Sequence, residues 1–167
     1  MNKQTTPKST TAHITVLCLV LAAFCLPAAQ LQAQDNGGPP GPPANQTFTI
    51  PGGCGFDVQV TVTGRTNLLA IPGGGFILTG PDFYATFTNL SDPTKSVTLN
   101  ATGSEHFSFD ANGDTIIMLT GHNSLVSQSL GIVNLIGNFT AVFDSDGNLI
   151  QGPTGNGQIT SICDLIN

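Results

Sequence analysis

The sequence predicts an all-β protein, an antiparallel meander that closes into a barrel, with a β-sandwich as the alternative and one disulfide as a tie. Three observations lead there. Apolar residues recur with a period of two in short runs rich in Thr, Val, Ile and Phe, and no sustained 3.6-residue pattern follows the leader. Clusters of Gly, Pro, Asn and Asp punctuate these runs every roughly 8–12 residues, the spacing of a barrel or sandwich. Two cysteines, Cys54 and Cys163, stand at opposite ends of the periodic region.

The first 33 residues read as a secretory signal peptide. Met1 to His13 is polar and carries Lys3 and Lys8; Ile14 to Leu26 is apolar apart from Thr15; a small residue, Ala33, precedes the expected cut. The apolar run has 13 residues, short of the roughly 20 that span a bilayer, although an uncleaved anchor is the competing reading. Cys18 and Cys25 would leave with this segment. Residues 34–46, with Gly37-Gly38-Pro39-Pro40-Gly41-Pro42-Pro43, read as a disordered Gly/Pro-rich spacer; two Gly-Pro-Pro triplets are too few for a collagen helix. Residues 47–167 form the expected single β domain.

Within that domain, Phe48 and Ile50 mark a short strand ended by Pro51-Gly52-Gly53. Cys54 to Thr63 is a strand whose even positions, Phe56, Val58, Val60 and Val62, make one apolar face. Thr66 to Ile71 and Phe76 to Thr79 are shorter strands, separated by Pro72-Gly73-Gly74-Gly75. Phe83, Ala85 and Phe87 share a face, as do Val97, Leu99 and Ala101, with a turn at Asp92-Pro93-Thr94. Phe107 and Phe109 share a face before the hairpin turn Asp110-Ala111-Asn112-Gly113-Asp114, where Asn-Gly supplies positive φ. Thr115 to His122 is apolar on both faces, the mark of a central strand. Asn123 to Gly131 is polar and is expected to be a loop.

Ile132 to Phe143 is the longest strand, with Val133, Leu135, Phe139, Ala141 and Phe143 on one face and a bulge or bend expected at Gly137. A second hairpin turn, Asp144-Ser145-Asp146-Gly147-Asn148, follows. Leu149-Ile150 is brief, and Gln158 to Cys163 is expected as the last strand. In an oxidising compartment Cys54 and Cys163 pair. A meander leaves its end strands far apart unless the sheet closes, and a disulfide needs Cα atoms within about 7 Å. Pairing would therefore bring the first long strand beside the last. It would close a loop of 109 residues, for which the chain-entropy model gives up to about 5 kcal/mol.

Charge narrows the partners. The full chain has ten acidic residues and four Lys or Arg, a formal net charge of −6. Without the leader, Arg65 and Lys95 are the remaining cations and the net charge is −8. Two cations neutralise few phosphates, so nucleic acid and anionic membrane surfaces are poor partners. The two Asp-rich turns resemble calcium loops at a glance, but their glycine is fourth, not sixth, and the glutamate at position twelve is missing. Turn chemistry explains them. His106 and His122 are the histidines beyond the leader, too few for a zinc site without distant carboxylates. Glu105 and His106 are adjacent and so point to opposite faces of a strand. No Gly-x-Ser-x-Gly elbow, phosphate loop or dinucleotide motif occurs. No catalytic, cofactor-binding or metal residue is assigned. Asn-x-Ser/Thr sequons stand at Asn45, Asn89, Asn100 and Asn138.

The order of several short patterns resembles a group of small secreted bacterial all-β proteins. They are Cys54-Gly55-Phe56-x-Val58, Thr79-Gly80-Pro81, Thr88-Asn89-Leu90, Lys95 to Asn100, Asp144-x-Asp146-Gly147-Asn148 and Ile162-Cys163-Asp164-Leu165. Thr120-Gly121-His122 departs from the group's pattern, which has a basic residue after the glycine. The resemblance implies a secreted all-β domain with paired terminal cysteines and transfers no activity.

The expected function is that of a secreted, extracellular or periplasmic, non-catalytic β domain with a surface, matrix or binding role. Two alternatives stand beside it: a barrel holding a small apolar ligand, and a cofactor-free barrel enzyme resembling allene oxide cyclases or dirigent proteins in architecture. The first alternative needs a pocket of some 300 Å³, which an interior filled by Phe56, Phe83, Phe87, Phe107, Phe109, Phe139 and Phe143 would deny. The second needs polar groups converging in an apolar cavity, for which His122, Glu105 and Tyr84 are the candidates.

Overall fold

The computed structural model describes residues 44–167; the expected signal peptide and most of the spacer lie outside them. Ten strands are present: β1 (Gln46–Ile50), β2 (Val58–Thr63), β3 (Asn67–Ile71), β4 (Gly75–Thr79), β5 (Tyr84–Asn89), β6 (Ser96–Asn100), β7 (Gly103–Phe109), β8 (Thr115–Ser127), β9 (Gly131–Phe143) and β10 (Leu149–Ser161). One turn of helix, α1 (Ile162–Leu165), follows them. All the ladders are antiparallel.

The strands make two sheets rather than a closed barrel. One has the order β1-β2-β5-β6 and the other β10-β9-β8-β7-β4-β3. The barrel expectation is therefore corrected to a sandwich-like arrangement. The reason is the path of the chain. After β2, β4 and β6 it changes sheet instead of pairing with the next strand. The three crossings lie against one another: Arg65 N–H donates to Pro81 O (3.3 Å), Ala101 N–H to Phe83 O (2.8 Å) and Gly80 N–H to Gly103 O (3.1 Å). Period-two alternation tells which residues face inward, not which sheet a strand joins.

Two apolar clusters fill the interior. In the first, Val58, Val60, Val62, Ala85 and Phe87 of the four-stranded sheet pack on Val126, Ile132, Ile162 and Ile166. The even-position face predicted for β2 is thus inward. The second cluster draws all its buried members, including Phe107, Leu119, Leu135, Phe139 and Phe143, from the six-stranded sheet. A sheet that buries one face against its own side chains is curved. Phe76 stacks on Phe107 within it, ring centroids 4.4 Å apart. Phe109, expected inside, is 54% exposed at the hairpin end.

A row of glycines crosses the curved sheet. Gly103 pairs with Gly121, Gly121 with Gly137, and Gly137 with Gly157. On one side of the row β8 alternates buried and exposed; on the other, Leu125, Val126 and Ser127 are all buried, as are Ile132 to Leu135 of β9. The end of the β8–β9 hairpin thus lies between the two clusters. At Gly137 (φ 138°) a Cβ would collide with the Asn156 carbonyl oxygen and approach Gly157 Cα to 2.8 Å. The bend expected at Gly137 is one member of this row.

Three further expectations change. Asn123 to Ser127 belongs to β8 instead of a loop, because Asn123 and Ser127 are buried polar residues of a continuing strand. Leu149 to Ser161 is one strand with register shifts around Gln151, so the brief Leu149-Ile150 piece and the last strand are continuous. Cys54 precedes β2 in a turn, and Cys163 sits in α1, capped by Ser161, whose Oγ accepts from Asp164 N–H at 3.2 Å. Ile159, in the part of β10 expected as the last strand, is 47% exposed.

The Cys54–Cys163 disulfide is formed, with Cα atoms 5.2 Å apart. It connects the β1–β2 loop of one sheet to the helix that ends the other.

Candidate functional site

A partly open cavity of about 60 Å³ lies where the chain crosses between the sheets. Its walls are apolar: Phe48 of β1, Val62 of β2, Leu78 of β4 and Ala85 of β5 are joined by Phe83 and Ala101 from the crossings. Alternation explains the inward aim of the strand residues. Gly80 and Gly103 keep the crossings close. A Cβ on Gly103 would lie 2.5 Å from His122 O and 2.6 Å from Asn123 Oδ1.

Polar groups gather at one side, where Glu105 of β7 and Asn123 and Ser124 of β8 line the cavity. The cross-strand neighbours of Glu105 are Leu78 and Leu119, both apolar and buried. The residue keeps partial solvent exposure because it lines a cavity, yet protein surrounds its carboxyl, and this burial pushes the pKa up to about 8. Among the described residues, neither a hydrogen bond nor a cation offsets the burial. Asn123 Nδ2 donates to Thr120 O (3.1 Å), which holds its amide at the cavity edge.

Among the described residues, Ser124 Oγ is buried without a hydrogen-bond partner. Directly across the ladder stands Asn134, 6% exposed, whose Oδ1 is likewise buried and unpartnered. Buried polar atoms are nearly always paired, and leaving one unpaired costs about 1–3 kcal/mol. Two such atoms on facing residues make this stretch of the β8–β9 ladder unusual.

Of the three residues named for a barrel enzyme, Glu105 alone lines the cavity. Tyr84 is 44% exposed, its neighbours Ala85 and Phe87 taking the inward face of β5. His122 is half-buried opposite Ile136 and does not line the cavity. The structure does not bring the three together. The volume is also well below the 300 Å³ set for a lipocalin-like pocket. Asn123, Ser124 and Asn134 were not singled out from sequence. The signal was the run Asn123-Ser124-Leu125-Val126-Ser127, which contains no Gly or Pro to stop the strand.

The Asp-rich turns are hairpin turns. Asp110 Oδ1 accepts from the N–H groups of Asn112 (2.8 Å) and Asp114 (3.0 Å), and Asp144 Oδ1 from those of Asp146 (3.0 Å) and Asn148 (2.8 Å). The Asn148 side-chain amide, then its backbone N–H, hold Asp144 below the usual carboxylate range. Among the described residues, no group of three or more His, Cys, Asp or Glu is placed to hold a metal. Asn89, in one of the four sequons, is buried: its Nδ2 donates to Ile166 O (3.1 Å) and its Oδ1 accepts from Ser91 N–H (2.8 Å). Asn45, Asn100 and Asn138 are exposed.

No family model, no curated protein and no solved structure matches this chain.

Proposed function

We propose that the chain is an exported, non-catalytic β domain whose inter-sheet cavity holds a small ligand. The observation that carries this reading is the cavity corner, where the Glu105 carboxyl, its burial offset by no hydrogen bond or cation among the described residues, lines a mostly apolar space. Ligand sites combine mostly apolar walls with a few convergent polar groups. The size suits a ligand of a few heavy atoms, or the end of a longer one entering through the open side.

For the non-catalytic role the reading rests on the sequence, which carries no nucleophile elbow, phosphate loop or dinucleotide motif; among the described residues lining the cavity, Glu105 is the one that titrates. Export is supported by the leader pattern and the disulfide; among the described residues no helix is long and apolar enough to cross a membrane. The test is a screen of small fragments by ligand-observed NMR against the wild-type protein and a variant with Ala101→Leu, which fills the cavity from a crossing. The reading expects fragments that bind the wild type and not the variant. Equal binding to both would place the ligand elsewhere.

A further inference from the structure

We propose that the cavity is a site for a small organic ammonium ion, held by the Glu105 carboxylate against apolar and aromatic walls. This rests on the reading of the cavity as a ligand site and specifies its ligand class.

The carboxyl decides the chemistry. Glu105 lines the cavity between the apolar cross-strand neighbours Leu78 and Leu119, and among the described residues no hydrogen bond or cation offsets its burial. A carboxylate accepts hydrogen bonds only, and an ammonium group, with three donors and no acceptor, is its complement. A carboxylate or phosphate ligand would bring acceptors to an acceptor.

The walls and the field agree. Phe48 and Phe83 border the space, and aromatic rings attract cations placed over them within about 6 Å. An alkyl stem fits against Val62, Leu78 and Ala85. Arg65 and Lys95 are the only Lys or Arg among the described residues, against nine Asp or Glu, so the domain's potential draws cations and repels anions. Arg65 adjoins the lining residue Thr66 in sequence, but it does not offset the burial of the Glu105 carboxyl.

Binding is coupled to a proton. The empty site holds Glu105 protonated at neutral pH, so an entering ammonium ion displaces that proton to solvent and pairs with the carboxylate. Among the described residues lining the cavity no other group titrates: β1 contributes Gln46 and Phe48, β2 Val62, β4 Leu78, β5 Ala85, and β8 Asn123 and Ser124. Affinity should rise about tenfold per pH unit up to about pH 8 and level off above it.

The test is calorimetry and ligand-observed NMR with n-butylammonium, n-butanol and butyrate on the wild-type protein at pH 6 and pH 8. The expected result is n-butylammonium binding at least about tenfold tighter than n-butanol at pH 8, with that preference largely lost at pH 6 and no butyrate binding. Glu105→Gln should abolish the preference and its pH dependence with an unchanged circular dichroism spectrum. Equal binding of n-butanol and n-butylammonium, or a pH-independent n-butylammonium affinity, would overturn the cation assignment while leaving the cavity a ligand site. Binding of none of the three probes, together with a fragment screen that finds no ligand blocked by Ala101→Leu, would overturn both.

Discussion

Cys54 and Cys163 join two different sheets. Their Cα atoms stand 5.2 Å apart, one in the loop between β1 and β2, the other in the helical turn that ends β10. Cys54, Cys163, Ile162 and Ile166 all pack on the cluster formed by Val58, Val60 and Phe87. The bond thus ties the C-terminal turn and the six-stranded sheet to the four-stranded sheet at the edge of their shared core.

Replacing both cysteines by serine should therefore loosen the sheet-to-sheet contact without altering either sheet's pairing. Losing a disulfide from a small domain costs about 2–5 kcal/mol. Urea unfolding of Cys54→Ser/Cys163→Ser should show that loss. Hydrogen exchange should rise first at Ile162 to Ile166 and at β1. Unchanged stability would mean that the bond carries no part of the contact.

The glycine row makes a second prediction. At Gly137 an alanine meets backbone from the neighbouring strand, where no side-chain rotation relieves the clash. At Gly113, in a hairpin turn with φ 87°, nothing lies within 4 Å of a built Cβ. Gly113→Ala should cost about 1–2 kcal/mol for the left-handed backbone alone. Gly137→Ala should cost clearly more, about 3 kcal/mol or beyond, since it adds a backbone collision to the strain. Thermal melts of the two variants rank them; equal losses would remove the row's role in the sheet's curvature.

Asn89 locks the C-terminus onto the end of β5. Its amide bridges Ile166 O to the N–H groups of Ser91 and Asp92. Asn89→Ala strips partners from these groups and should cost about 1–3 kcal/mol, read by chemical denaturation. Asn138→Ala, at an exposed sequon residue, should change stability by less than about 0.5 kcal/mol.

These sites show what the sequence discloses and what it hides. The inward faces of β2, β5 and β9 follow from alternation at Val58-Val60-Val62, Ala85-Phe87 and Val133-Leu135-Phe139. The hairpins at Asn112-Gly113 and Asp146-Gly147 follow from turn chemistry, and the disulfide from cysteine arithmetic. The partition into two sheets does not, because Gly64 and Pro81 mark turns equally well whether the chain pairs back or crosses over. The cysteines misled for a related reason. Bond geometry limits the distance between Cα atoms but says nothing of whether those atoms lie in strands. The cavity stayed hidden because its polar side comes from Asn123 and Ser124, whose polarity resembles that of a loop. Glu105 was visible as the sole glutamate, but its surroundings depend on Leu78 and Leu119, which only the register brings beside it.

Glu105 also sets a pH dependence of folding. Its pKa is about 8 in the folded chain against 4.5 for the unperturbed group. The folded state therefore holds a proton that the unfolded state releases between these values. The contribution to stability is fully present below pH 4.5 and is lost as the pH rises through 8. At about 1.4 kcal/mol per unit, the loss is at most about 5 kcal/mol. Asp92 and Asp144, held low by hydrogen bonds from Thr94 and Asn148, act in the opposite sense and below the ordinary aspartate range. Denaturation at pH 5, 6.5 and 8 should show stability falling across the series in the wild type. Glu105→Gln should flatten the slope and exceed the wild type at pH 8.

The most direct measurement is the titration of Glu105 itself. It is the sole glutamate in the chain, so selective ¹³C labelling of the glutamate side-chain carboxyl gives a single resonance. The account predicts a midpoint near pH 8 in the free protein, and a clear downward shift on saturation with n-butylammonium. A midpoint near 4.5, unmoved by the amine, would contradict it, for the carboxyl would then be solvated and the cavity corner would not be the site described.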